Sequence, residues 1–309
     1  MKFNGLRYFI FFLLIGVNTG LFAQQKNTSD GLQQIADQEK AAYSKLMQPR
    51  EALIVNNYDL KYHRFFLFAD PSINSIGGSV TSYFVATQPG MESIQFELYK
   101  TLSADSAFYH GSKKTPTHNG NVVEVSFGRE VPQGSLDSVT IFYHGDPTSS
   151  GFGSFGREFH AGAWALWTLS EPYGASDWWP SKNDLTDKID SIDMFVVTPK
   201  GNHVASNGLL ISETSYGANA VLAHWKHRYP IASYLIAIAS TNFARFSDYY
   251  VTADSSLEVL NYVYPEDSAL LVNNAKEAIP AMQLFEEIFT PYPIRAEKYG
   301  QAQFGWGGG

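Results

Sequence analysis

From about residue 52 to residue 264 the chain is written in short runs of alternating apolar and polar residues, separated by turn signals and with no helical period between them. The first group comprises 57–69 (NYDLKYHRFFLFA), 79–87 (SVTSYFVAT), 93–100 (SIQFELYK), 121–127 (NVVEVSF) and 137–144 (DSVTIFYH). Asp70-Pro71, Pro89-Gly90, Asn119-Gly120 and Gly145-Asp146-Pro147 punctuate them. The pattern resumes at 191–198, 203–212, 221–229, 232–240 and 255–264. A period of two sends successive side chains to opposite faces of a sheet, so each run reads as a half-buried strand. Strands in regular succession without helices exclude βαβ units over this span and predict a sandwich or saddle-shaped set of sheets. An aromatic share of 15% against 17% charged residues suits that reading, because aromatic side chains pack well on pleated surfaces.

The period then changes. In SALLVNNAKEAIPAMQLFEEIF, Leu271, Ala275, Ile279, Met282, Phe285 and Phe289 recur at three- and four-residue steps. This spacing predicts a helix of five or six turns, with Asp267 or Ser268 as N-cap and Pro280 interrupting or bending it. A domain boundary is therefore expected near Tyr264, giving a β-rich domain over 52–264 and the beginning of another over 265–309. The final stretch, PYPIRAEKYGQAQFGWGGG, reads as a turn, a short strand and a glycine run. At roughly 150 residues per domain, 309 residues accommodate both.

At the other end, Lys2 and Arg7 precede an apolar run from Tyr8 to Val17, and Leu21-Phe22-Ala23 offers a cleavage site before Gln24. Residues 1–23 read as a secretory signal, since the run is well short of the ~20 residues that span a bilayer. The mature chain is expected to be periplasmic or secreted, without a stable membrane anchor. Residues 24–51 read as a helical linker, carrying Leu32, Ile35, Ala36 and Leu46 at helical spacing. There is no cysteine, which excludes a disulfide framework and thiolate metal sites. Loss of the signal takes the formal charge from -8 to -10. An acidic exported chain is a poor nucleic-acid binder, because phosphate recognition needs clustered Lys and Arg.

Several constellations were weighed for chemistry. His224 and His227 in HWKHRY stand three apart in a strand context, where an odd offset places them on opposite faces, so they read as surface polar residues and not as a metal pair. Gly151 to Gly156 formally matches G-x-G-x-x-G, but an aromatic strand-like segment follows it instead of a helix, so it reads as a glycine-rich hairpin loop. Ser154 lacks the glycine two residues before it that a nucleophile elbow needs. The richest segment is Trp164 to Asp190, which concentrates Trp164, Trp167, Trp178 and Trp179 with Glu171, Asp177, Asp184, Asp187 and Asp190. It is either a loop packing aromatic rings over a sheet or the wall of a pocket with one placed carboxylate, and its chemistry alone leaves both open. A secreted carbohydrate- or protein-binding module, with the tryptophans as a stacking platform, is the alternative class.

Thr168 to Lys188 resembles the segment T-x-x-E-P/A-x-x-A-R-x-x-x-P-C-x-D-x-P-x-x-K of the aminopeptidase N family of zinc metallopeptidases. The chain departs from it with Ser176 for Arg, Ser181 for Cys, Asn183 for Asp and Leu185 for Pro. SNGLL at 206–210 and HRYPIASYLIAIASTNF at 227–243 look like the family's next strands, and the run ending at Gly308-Gly309 resembles the approach to its G-x-M-E-N exopeptidase motif. The resemblance implies a mainly β N-terminal domain followed by the first helix and edge strand of a thermolysin-like α/β catalytic domain. It implies peptide substrates with a free N-terminus, Glu171 holding the substrate amine, and Gly308 and Gly309 lying against the substrate backbone. It also implies Zn2+ in a longer parent, bound by an HExxH helix that this sequence does not contain, so the chain alone is expected to be inactive.

Overall fold

The computed structural model describes residues 56–150 and 153–306, together with helical Gln33, Ala36, Asp37 and Lys40. Residues 1–23, read above as a signal, most of 24–51, and Gly308 and Gly309 lie outside the described residues. The chain divides into two units, Met1–Gln48 with Trp306–Gly309, and Pro49–Gly305. Every sheet, core and cavity below belongs to the second.

That unit contains β1 (Tyr58–Ala69), β2 (Ile76–Ala86), β3 (Met91–Glu97), β4 (Leu102–Tyr109), β5 (Ser112–Lys114), β6 (Thr117–Asn119), β7 (Val122–Val131), β8 (Leu136–Gly145) and β9 (Gly156–His160). It continues with β10 (Ala163–Trp167), β11 (Ser191–Pro199), β12 (His203–Ser206), β13 (Leu209–Tyr216), β14 (Ala220–His227), β15 (Ile238–Thr241), β16 (Ala244–Val251) and β17 (Ser256–Val263). Two helices, α1 (Ser268–Asn274) and α2 (Ala278–Ile288), precede β18 (Lys298–Ala302). The main sheet runs β13-β14-β11-β1-β2-β8-β4-β5, and three smaller sheets run β12-β15-β10-β9, β16-β17-β18 and β3-β7-β6. The mainly β architecture expected from the alternation is the one observed.

β1 shows how the sequence sets the layers. Tyr58 and Leu60 are buried, the register slips at Lys61, and His63, Phe65, Leu67 and Ala69 are then buried in turn. A single bulge shifts the phase of a period-two pattern by one residue, so both halves present their apolar side to the same core. Across that core, Phe84 stacks on Phe127 with centroids 5.9 Å apart, and Tyr58 meets Phe96 at 5.8 Å. The β3-β7-β6 sheet thereby packs face to face on the main sheet. β11 pairs with β1 in parallel, Phe65 opposite Met194, and with β14 antiparallel. Its near-continuous buried run, Ile192 to Met194 and Val196 to Thr198, is what a central strand covered on both faces requires.

The strand at 232–240 is a correction: a 3-10 turn at Ser233–Leu235 occupies its first half, and only β15 is extended. The helix also differs from its sequence pattern. A 3-10 turn at Ala275–Glu277 divides it, because Pro280 has no N–H to return to the carbonyl of Lys276. Met282 packs with Tyr250, Leu257 and Val259, and Ile279 joins them. Phe285 and Phe289, expected on the same buried stripe, are exposed, since the three-stranded sheet underneath covers only about one turn. The two helices connect β17 to β18, which pair in parallel, so the chain holds one βαβ unit after all.

Two core positions give tests. Gly78 has φ +145 and a Cβ there would stand 1.9 Å from the Phe66 carbonyl oxygen, whereas a Cβ on Gly90 meets nothing within 4 Å. In urea unfolding, Gly78→Ala is expected to lose at least about 2 kcal/mol and Gly90→Ala about 1 kcal/mol. His63 is fully buried against Phe65 and Trp179, and burial pushes its pKa down to about 3. The folded state keeps the ring neutral while the unfolded chain takes up a proton below about pH 6.5. Stability from this group is therefore complete above ~6.5 and falls by about 1.4 kcal/mol per pH unit as pH drops toward ~3. His63→Leu is expected to flatten that slope between about pH 4 and 6 in denaturation curves.

Candidate functional site

The segment from Thr168 to Asp190 is irregular but closely held. Thr168 accepts from the Ile238 N–H at 3.0 Å through Oγ1, which ties its start to β15. Gly174 N donates to Ser170 O at 2.7 Å, and a Cβ on Gly174 would fall 2.1 Å from Ser154 Oγ. Trp178 Nε1 donates to Ser170 Oγ at 2.9 Å, and Trp179 is wedged edge-on against Phe65 at 4.9 Å. Ser181 exchanges backbone bonds with Glu97 at 2.8 and 2.9 Å, extending the edge of β3. Lys182 donates to Tyr58 O at 2.9 Å, lies 4.5 Å over the Tyr58 ring and pairs with Asp187. Burial pushes the Asp187 carboxyl up despite that ammonium, which marks a desolvated pair.

Ser176 and Asn183, two of the departures from the family pattern, are neighbours in space: Asn183 Nδ2 donates to Ser176 Oγ at 3.0 Å. Where the pattern has an Arg and an Asp, this chain carries a neutral hydrogen-bonded pair, both members buried.

The five acids of the segment separate clearly. Asp177 is fully buried and accepts from Ser154 Oγ at 2.7 Å and from Ser150 Oγ. Asp187 pairs with Lys182, Asp184 accepts from Thr186 at 2.7 and 2.9 Å, and Asp190 lies 3.6 Å from Lys61. Glu171 alone among them is exposed with neither a hydrogen bond nor an ion pair to any described residue. It stands on a turn, at a cis Glu171-Pro172 bond, two residues past Leu169. Leu169, with Trp167 and Thr168, forms one wall of a cavity of about 420 Å3 whose other walls include Trp225, His227, Lys298 and Phe304. Glu171 sits beside this cavity and does not line it.

Three of the segment's tryptophans, Trp167, Trp178 and Trp179, are buried, and only Trp164 is substantially exposed, so they form no surface platform for sugars. Their indoles are spent on the core and on the cavity wall. His224 and His227 fall on opposite faces of β14, as period two requires, but neither is a free surface residue. His224 donates through Nε2 to Asp193 Oδ1 at 2.6 Å and stacks on Phe195 at 4.0 Å. His227 is buried, with Nδ1 2.5 Å from Glu297. No group of three or more His, Asp or Glu able to hold a metal occurs among the described residues. The two histidines face apart and are each committed to a carboxylate, so this pair does not fit a zinc ion.

No family model matches the sequence, and no curated protein matches it. Solved structures do. An M1 zinc metallopeptidase variant from Deinococcus radiodurans bound to a Tyr-Ser-Ala substrate superposes with TM-score 0.67 at 20% identity, over 80% of this chain and 56% of that one. A two-domain M1 zinc metallopeptidase variant bound to L-arginine gives 0.69 at 20% identity, over 83% and 58%. An M1 zinc metallopeptidase from Deinococcus radiodurans gives 0.68 at 19% identity, again over 83% and 58%. The chain thus has the fold of the N-terminal region of these metallopeptidases and spans a little over half of their length.

The geometry separates a structural acid from an available one. Glu171→Ala is expected to change unfolding free energy by no more than about 0.5 kcal/mol, whereas Asp177→Ala, which removes a fully buried carboxylate bonded by two serine hydroxyls, is expected to lose about 2–4 kcal/mol in chemical denaturation.

Proposed function

We propose that this chain is the substrate-amine-binding part of a zinc-dependent aminopeptidase, with Glu171 as the group that holds the free N-terminus of a peptide. The observation that carries the reading is the solitary state of Glu171. In a segment where every other carboxylate is bonded internally, Glu171 is left exposed and unpaired, two residues along the chain from Leu169 in the wall of the cavity. A carboxylate so placed forms a charge-assisted hydrogen bond with an ammonium, roughly twice as strong as a neutral one. Because only the first residue of a peptide carries that ammonium on its backbone, the contact counts position from the N-terminus. Release of terminal residues, and not internal cleavage, follows from it.

The solved structures of this fold that carry a Tyr-Ser-Ala substrate or L-arginine are consistent with peptide substrates here. Gly308 and Gly309 would let a substrate backbone approach closely, as residues without Cβ do. The chain contributes binding and orientation, and the zinc ligands come from residues outside these 309. We place the protein outside the cytoplasm on the strength of residues 1–23.

The test extends the coding sequence beyond Gly309 and assays the product. An HExxH motif is expected there, and the extended enzyme is expected to hydrolyse amino-acid anilides. Its Glu171→Ala variant should lose about 10- to 100-fold in kcat/KM, corresponding to the ~1.5–3 kcal/mol of a charged hydrogen bond. Residues 24–309 alone should be inactive. A stop codon after Gly309, or unchanged kinetics for Glu171→Ala, overturns the proposal.

A further inference from the structure

The cavity beside Glu171 has a polar apparatus of the opposite sign. Lys298, on β18, extends its ammonium 4.8 Å above the Trp225 ring and donates to Ser206 O at 3.0 Å. No carboxylate of the described residues lies within ion-pair distance of it, although Lys61, Lys182 and Lys226 each have one. Burial pushes its pKa down to about 8, against the pull of Glu297 and Glu258. A desolvated cation ordinarily has a counter-ion. Here two of the ammonium's three donor directions are taken, by a carbonyl and by an indole face, leaving one for a partner that the chain does not supply.

His227 stands two residues from Trp225 on β14 and therefore on the same face. Its Nδ1 is fixed by Glu297, whose other carboxylate oxygen accepts from Arg228 N at 2.7 Å. Nε2 has no hydrogen-bond partner among the described residues, and His227 lines the cavity. Aromatic side chains, Trp167, Tyr262 and Phe304 among them, share the remaining walls with small and aliphatic residues such as Ala205 and Ile238, and a volume of about 420 Å3 lies in the range of small-molecule sites.

We propose that this cavity is a binding site for a small organic anion with an aromatic or apolar body, its carboxylate held by Lys298 Nζ and its body between Trp167, Trp225 and Phe304. The site stands apart from the amine-binding reading, because an ammonium is attracted to Glu171 and repelled by Lys298. The charged groups around Lys298 are Glu297 beside it, Glu258 opposite it on β17, and His227 on β14. Glu297 is already satisfied by two donors.

Calorimetric titration of the purified chain with 3-phenylpropanoate and with its neutral isostere 3-phenylpropanamide tests this. At about pH 7 the carboxylate is expected to bind at least about 10-fold more tightly, a difference of ~1.4 kcal/mol. Lys298→Met should erase the preference while Lys298→Arg retains it. The preference should also narrow as pH is raised above about 8 and the ammonium discharges, which gives a readout in the unaltered protein if Lys298→Met does not fold. Equal affinities for the two probes, no binding of either, or a carboxylate preference that persists in folded Lys298→Met or at about pH 9.5 overturns the proposal.

Discussion

The insertion of Trp178 and Trp179 beneath β1 organises everything else that matters in this molecule. Both indoles are wholly buried, which anchors the polypeptide between Thr168 and Asp190 to the core. Burial of aromatic side chains of this size contributes several kcal/mol. That is enough to order a stretch with almost no regular secondary structure of its own. Around the rings the backbone is tied off by Ser170, Ser181, Lys182 and Asp187. The aromatic content of the segment is thus mechanical, and its effect on function is indirect: it fixes the turn on which Glu171 stands.

Much of this was legible from residue order. Alternation located most of the long strands, and the switch of period after Tyr264 located the helices, with Pro280 marking their break. What escaped had physical causes. β4 and β16 alternate polar and apolar residues only weakly, and β5 and β6 are three residues long, so the signal is too small to separate from loop. The parallel pairings, β1 with β11 and β17 with β18, are set by which faces find each other after collapse and leave no local trace.

The sites were legible to different degrees. Family resemblance singled out Glu171, but its lack of an internal partner emerges only when the other four acids are seen in their bonds. The Glu297–His227 contact joins residues 70 positions apart, and Lys298 meets Trp225 across two sheets. Same-face spacing of Trp225 and His227 was the one available hint. Lys298 lies in the wall of the cavity and Glu171 lies outside it, so the two groups of opposite sign would select different ligands.

The parallel junction of β1 and β11 also has a temporal consequence. Tyr62 pairs with Ser191, so the centre of the main sheet cannot close until the whole span between them has been made and folded out of the way. Ordering that much chain before its contacts form is entropically expensive and slows folding. During synthesis β1 waits with one edge bare while β2 pairs on the other, and an unpaired edge invites association with other chains. Under the proposal that residues 1–23 direct export, this delay has a use: a chain that completes its core late remains threadable for longer.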